Sequence, residues 1–221
     1  MRRMVTEGNV DVITGDWLSE MNIAWNAIVK KDNPQLGYEV GFLDQLKDCI
    51  HDIVAKGIKV ITNAGALNTP CLTRKVEELC RERGYDKVIV ASVVGDDISA
   101  LLSHPATRKA LDFSHLDHSD QSLEHWNLTV DIECGVAYLG AKGIIAALNA
   151  GADIVICGRV TDASPVIGAA SWWYGWTEDS FDELAGALIA GREHRQDSNI
   201  TRATQLMSSR SHRVRTICHW G

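Results

Sequence analysis

Residues 57–97 read GIKVITNAGALNTPCLTRKVEELCRERGYDKVIVASVVGDD and contain one complete strand–helix–strand unit. An apolar strand at 59–62 runs into a polar cluster, and a helical pattern follows over 69–83. A second apolar strand at 87–94 then ends in another polar cluster. Because a helix separates the two strands, this unit predicts strands that lie parallel in one sheet.

The same order of strand and polar cluster recurs towards both ends of the chain. It reads VDVITGDW at 10–17 and ADIVICGRVTD at 152–162. Apolar residues at helical spacing fill 42–54, and a glycine-rich turn at 135–140 precedes another short helical pattern. The alternation predicts an α/β fold: a mostly parallel, Rossmann-like layered sheet with helices on both faces.

Three segments carry separate expectations. Little sequence precedes the strand at 10–14, so we expect it at an edge of the sheet. Residues 103–127 lack periodicity and predict a long excursion with a short helix after Pro105. Residues 128–132, LTVDI, predict a further strand.

Composition limits the class of protein. The chain has 221 residues, 45% of them hydrophobic and 23% charged, which is enough for one globular unit. A formal charge of −7 argues against a nucleic-acid partner, since such proteins carry a basic face. No run of 18 apolar residues and no signal-peptide pattern occur, so we expect no membrane partner and a cytoplasmic location. Six scattered cysteines fit reduced thiols better than disulfides or zinc.

The polar clusters are the candidate site, because the carboxyl ends of parallel strands form the crevice where ligands bind. Asp16 and Glu20 follow the first strand and can bring two carboxylates together, or they cap and flank the next helix. Asn63, Gly65 and Asn68 follow the second strand and fit either an anion cradle or a tight turn. No dinucleotide or P-loop glycine motif accompanies them.

The third and fourth polar clusters along the chain contain two adjacent acids and an arginine, respectively. Asp96 beside Asp97 either binds a cation or caps the helix that follows, and adjacent acids also raise each other's pKa. Gly158, Arg159 and Asp162 follow the last strand. Arg159 can hold a carboxylate or phosphate in a bidentate fork, Asp162 can cap the next helix, and an Arg–Asp structural pair is the alternative.

Two further clusters invite functional interpretations that we do not favour. His115 and His118 have the spacing of metal ligands, but no third ligand has recognisable spacing, so we expect solvated histidines and no metal. The aromatic run at 172–176, WWYGW, is expected to pack in the core or an interface, with a hydrophobic ligand wall as the alternative.

Three long strings carry a family resemblance: GNVDVITGDWLSEMN at 8–22, GIKVITNAGALN at 57–68 and AYLGAKGIIAALNAGADIVICGRVTDAS at 137–164. They resemble the N-terminal domain of the acyclic terpene utilisation (AtuA-like) proteins over about residues 8–191. That resemblance implies a role in terpenoid acid catabolism or, as in fungal relatives, in specialised metabolism. The matching motif positions are Gly15, Asp16, Glu20, Asn63, Gly65, Asn68, Asp96, Tyr138, Gly140, Gly158, Arg159 and Asp162.

The chain departs from the family pattern at both ends. Family members begin with an additional strand, whereas only seven residues precede the first matching string, so we expect a domain over 1–191 that lacks a first strand. Residues 192–221 carry six arginines and two acids and do not match the family. Their composition predicts a disordered basic tail.

These observations predict an enzyme of terpenoid, polyketide or other specialised-metabolite metabolism that acts on a carboxylated, hydrophobic acyl or acyl-thioester intermediate. Hydration, dehydration and isomerisation are the candidate reactions, with Asp16, Glu20 and Asp96 as catalytic acids or bases. The candidate substrate-binding residues are Asn63, Gly65, Asn68, Tyr138, Gly158, Arg159 and Asp162. The alternative is a non-catalytic binding or partner domain of the same pathway, as a homo-oligomer or partner subunit. No cofactor follows from the sequence.

Overall fold

A computed structural model describes residues 1–111, 113–118, 120–123, 132–196 and 216–220, with side chains through residue 191. The helices are α1 Arg2–Glu7, α2 Glu20–Asp32, α3 Val40–Lys56, α4 Thr69–Glu82, α5 Ser99–Ser103, α6 Pro105–Ala110, α7 Lys142–Asn149, α8 Ser164–Tyr174 and α9 Phe181–Gln196. The strands are β1 Val10–Gly15, β2 Lys59–Thr62, β3 Val90–Val93, β4 Ile154–Cys157 and β5 Thr216–Trp220. The α/β prediction is confirmed, as is the short helix after Pro105.

The five described strands form one parallel sheet in the order β3-β4-β2-β1-β5. The expectation that the first strand lies at an edge is wrong, because β5 pairs with the side of β1 that β2 leaves open, with Ile13 opposite Cys218. Of the predicted strand at 128–132, residues 128–131 lie outside the described residues.

The C-terminal segment differs from the expected disordered tail wherever the structure describes it. Residues 192–196 continue α9, and Thr216–Trp220 form β5. The composition of residues 192–221 as a whole predicted disorder. The five residues of β5 differ from that average, because β-branched and aromatic side chains among them are enough for an edge strand. Residues 197–215 lie outside the described part of the chain.

The core has two layers because successive residues of a strand face opposite sides of the sheet. Val60 and Ile156 pack on one face with α1, α3 and α4, in a cluster that includes Phe42. Ile61 and Val155 pack on the other face with residues of α7 and α8. Helices therefore cover both faces, as predicted. None of the described helices is both long and apolar enough to cross a membrane.

Candidate functional site

The candidate site lies where β1, β2 and β4 end, together with the loop that follows β3. Asn63 follows β2 directly and is fully buried. Its amide nitrogen donates to Asp16 Oδ1 at 2.7 Å, and its amide oxygen accepts from the Trp17 backbone N–H at 2.7 Å. Asn63 thereby joins the ends of two neighbouring strands and fixes the Asp16 carboxylate at the carboxyl end of β1.

Asp16 does not cap α2. Ser19 does so: its Oγ accepts from the Asn22 backbone N–H at 3.3 Å, and the Asn22 side chain accepts from the Ser19 N–H in return. The cap lies three residues later than the sequence interpretation assumed, because a short connection separates β1 from α2. Glu20 is consequently the first residue of the helix.

Asp96 is buried and contacts the chain after β4. Its Oδ2 accepts from the Arg159 backbone N–H at 2.5 Å. Burial raises the pKa of Asp96 above its ordinary value, although the Arg159 N–H acts in the opposite direction. A methyl group on Gly158 would overlap the Asp96 carboxylate, so this contact requires glycine at 158.

The adjacent acid, Asp97, has a different role. Its Oδ1 accepts from the Ser99 backbone N–H at 3.0 Å at the start of α5, and its Oδ2 lies 3.5 Å from Lys30 Nζ. Burial acts to raise the pKa of Asp97, but the hydrogen bonds to Ser99 and Lys30 outweigh it and the pKa is lowered. One acid of the pair therefore serves the helix start, and the other faces the strand ends.

Arg159 is the centre of the cluster and is only 2% exposed. Its Nη1 donates to the Leu18 carbonyl at 2.9 Å and to Asp162 Oδ1 at 3.2 Å, and its Nη2 donates to Glu20 Oε1 at 3.2 Å. Its buried Nε has no hydrogen-bond partner among the described residues. Burial would lower the pKa of Arg159, but Tyr138, Asp162 and Glu20 outweigh it and raise the pKa.

Tyr138 and Glu20 cover the guanidinium. The Tyr138 ring lies 4.1 Å from Arg159 Cζ, a cation–π distance, and the Tyr138 hydroxyl donates to Glu20 Oε1 at 2.6 Å. The Glu20 side chain is 77% exposed, and Tyr138 is about half exposed. We call these two side chains the cover of Arg159.

Asp162 does not cap α8. Ala163 is the N-cap, and its side chain makes no capping hydrogen bond. Asp162 instead contacts Arg159, while Thr161 Oγ1 and Ser164 Oγ lie 2.5 Å apart. Asp162 binds the Arg159 guanidinium because a buried charge is costly unless it is paired with an opposite charge.

Two predicted substrate-binding residues contact the chain itself. Gly65 N–H donates to the Cys157 carbonyl at 3.0 Å, and a side chain at 65 would overlap Thr69. Asn68 Nδ2 donates to the carbonyls of Leu36 at 2.6 Å and Pro34 at 3.0 Å. Both residues shape loops beside the site. Gly140 has open space at the position of a Cβ.

The histidine pair lies at the surface, whereas the aromatic run at 172–176 is mostly half-buried. His115 and His118 are exposed, and His115 Nδ1 accepts from the His118 backbone N–H within a turn. Within the described ranges, no group of three or more potential ligands could hold a metal ion. The Trp172 and Trp173 rings contact each other edge to face, and both pack against the second core layer.

The Leu18 carbonyl was missed by sequence reasoning, because any residue supplies a backbone carbonyl and only the fold brings this one to Arg159. Two surface clefts, of about 420 and 690 Å³, lie away from the Arg159 cluster. The Arg159 guanidinium itself is buried beneath its cover in this structure.

A parallel sheet with acids, an amide and a buried arginine at its strand ends defines a layered α/β protein with a strand-end site. The model of a protein family described as "Acyclic terpene utilisation family protein AtuA" matches residues 1–193, and the chain belongs to this family. Membership implies a role in acyclic terpene utilisation. Comparisons with curated proteins and with solved structures gave no significant match.

Proposed function

We propose that the protein is an enzyme that binds a carboxylated, hydrophobic acyl or acyl-thioester intermediate at the Arg159 cluster. Hydration, dehydration or isomerisation of that intermediate is the proposed chemistry. The family supports a terpenoid pathway, and polyketide or other specialised metabolism belongs to the same proposal.

The observation that carries the proposal is the position of the Glu20 carboxylate. It accepts from Arg159 Nη2 at 3.2 Å and from the Tyr138 hydroxyl at 2.6 Å. Glu20 is largely exposed and sits on the first turn of α2, so its carboxylate has room to move into solvent when another anion takes its place. A substrate carboxylate that takes its place gains the same two donors, one of them charged.

Arg159 is suited to receive that group because it is already held in place. The Leu18 carbonyl and Asp162 fix Nη1, so little side-chain entropy is lost when an anion binds. The unpartnered Nε offers a second donor beside Nη2 once the cover moves, which is the geometry of a bidentate arginine–carboxylate pair.

Asp96 is the leading candidate for the proton-transfer step, with Asp16 and Glu20 as the other acids of the site. General acids and bases work best when their pKa lies near the working pH, and burial moves the pKa of Asp96 in that direction. Its carboxylate contacts the backbone N–H of the residue whose side chain would hold the anion.

The test compares Arg159→Gln with Arg74→Gln, a change of an exposed arginine on α4. Citronellate, a branched C10 carboxylate, is the calorimetric probe. We expect Arg159→Gln to weaken binding about tenfold or more, since a charged hydrogen bond contributes about 1.5–3 kcal/mol. Arg74→Gln should bind as the wild type does. Equal affinities of the wild type and Arg159→Gln would refute the proposed anion site.

The alternative is a non-catalytic binding or partner domain. It is favoured by the burial of Arg159, whose hydrogen bonds are made within the chain. Replacing the gene by the Asp96→Asn allele and measuring pathway intermediates in the cell separates the two functions. An enzyme that uses Asp96 accumulates its substrate in that strain. Wild-type intermediates in the Asp96→Asn strain, together with intact citronellate binding, would support the binding domain.

A further inference from the structure

Helix α2 carries apolar residues on its solvent face as well as on its buried face. Met21, Trp25 and Ile28 are 79%, 65% and 51% exposed, and Ala24 between them is exposed too. Their spacing of i, i+3, i+4 and i+7 is that of a single helix face. We call these four residues the α2 stripe.

The opposite face holds α2 on the domain, so the stripe is not a core face turned outward. Ile23, Asn26 and Ala27 are buried. Asn26 Nδ2 donates to Glu39 Oε1 at 2.7 Å, and Lys30 Nζ donates to the Leu67 carbonyl at 2.6 Å. These contacts fix the rotation of the helix and keep the stripe towards solvent.

Isolated exposed apolar residues are common on protein surfaces, whereas a contiguous row that includes tryptophan and methionine is typical of an interface. Met21, Trp25 and Ile28 follow one another along one side of α2, so they form one apolar surface rather than isolated positions.

The charges of α2 favour a second copy of the same helix in antiparallel orientation. Glu20 lies at its first turn, where it contacts Arg159, and Lys31 lies in its last turn, where it contacts Glu133 and remains 66% exposed. A parallel pair would place like charges together, whereas an antiparallel pair brings Glu20 of one copy near Lys31 of the other. The small Ala24 lies near the centre of the stripe and leaves room for a tryptophan from the second helix.

We propose that the chain forms a two-fold symmetric dimer in which the α2 stripes of two copies pack antiparallel, with Met21 against Ile28 of the second copy. A helix of 13 residues presents a small interface, so the dimer forms at micromolar rather than nanomolar concentration. This proposal does not require the reaction proposed at the Arg159 cluster, although Glu20 belongs to both features.

Sedimentation velocity of the full chain between about 1 and 200 µM tests the stripe, a range chosen for a small interface. The wild type is expected to pass from monomer to dimer, and Trp25→Glu to stay monomeric at every concentration. Phe181→Glu is the matched control, because Phe181 is 70% exposed but lies on α9. A monomeric wild type, or equal loss of the dimer in both variants, would overturn the proposal.

Cross-linking tests the orientation without disturbing the apolar contacts. In the antiparallel pair, Ala24 lies next to the two-fold axis, so Ala24→Cys is expected to form a covalent dimer on mild oxidation. Ala55→Cys, at an exposed position of α3, is the control and should remain monomeric. Absence of an Ala24→Cys cross-link in a sample that sediments as a dimer would reject the antiparallel arrangement.

Discussion

Asp96 and Asp97 are neighbours in the chain but lie in different environments. Asp96 accepts a hydrogen bond from the Arg159 backbone in a buried position, and burial raises its pKa. Asp97 accepts from Ser99 and lies beside Lys30, and its pKa is lowered. The fold thus favours the neutral form of one acid and the charged form of the other.

Opposite pH dependences of stability should follow from these two shifts. A raised pKa means that Asp96 stabilises the fold fully below its unfolded pKa and loses that contribution as pH rises through its folded pKa. Asp96→Asn keeps a neutral side chain, so its stability relative to the wild type should rise between pH 4 and pH 7. Urea unfolding at both pH values measures this difference.

Asp97→Asn is the internal comparison for that measurement. Its lowered pKa gives stability that is present above the unfolded pKa and lost as pH falls through the folded pKa. The variant should therefore cost more at pH 7 than at pH 3, because the loss occurs below the ordinary aspartate pKa of 3.8. The same sign for both variants would contradict the opposed environments of the two acids.

Gly158→Ala should be costly for steric reasons alone. The added methyl overlaps the Asp96 carboxylate, and a buried site of this kind loses about 1–3 kcal/mol on overpacking. Gly140→Ala should stay within about 0.5 kcal/mol, because a Cβ there meets open space and surface changes of this kind are small. Thermal unfolding of both variants provides the comparison, and equal costs would speak against the tight Gly158–Asp96 contact.

At the scale of elements, the start of α2 decides where Glu20 lies. The Ser19–Asn22 capping box ends the loop after β1 and makes Glu20 the first helical residue, within reach of Arg159 and Tyr138. The helix thus connects the anion site with the α2 stripe. A shift of its N-terminus would move both features together.

Ser19→Ala should lower the free energy of unfolding by about 1 kcal/mol, the usual cost of losing a helix cap. Ser103→Ala, which removes an exposed hydroxyl that bonds within α5, should cost less than about 0.5 kcal/mol. Chemical unfolding of the two variants measures the difference. A Ser19→Ala protein as stable as Ser103→Ala would mean that Asn22 alone suffices to start the helix.

At the scale of the whole molecule, two core layers share the same strands. Val60 and Ile61 are neighbours in β2 but belong to different layers, as do Val155 and Ile156 in β4. Neither layer can open without breaking the strands that the other needs. We therefore expect the two layers to unfold as one unit.

Thiol labelling tests whether the two core layers unfold together. Cys80 lies in the first layer and Cys157 in the second, and burial raises the pKa of both thiols, which further slows their reaction. In low urea both should react with the same opening free energy, whereas the partly exposed Cys134 should react without unfolding. Labelling of Cys157 well before Cys80 would show that the layers open separately.

Much of the fold could be predicted because it depends on local pattern. The strand at 59–62 and the helix at 69–83 follow from residue spacing and backbone preference, which act over a few neighbours. The place of β1 in the sheet could not be predicted, because its partner β5 lies about two hundred residues away in the chain. Long-range pairing leaves little local signal.

The α/β class, the helices on both faces, the family resemblance and the strand-end location of Asp16, Asn63, Asp96 and Arg159 could all be predicted from the order of the residues. The role of each side chain depended on the three-dimensional fold. It directed Asn63 to Asp16, separated Asp96 from Asp97 and turned Asn68 towards the loop after α2. The physical reason is that strand ends are set by local propensity, whereas burial, charge pairing and hydrogen bonding depend on atoms brought together from distant parts of the chain.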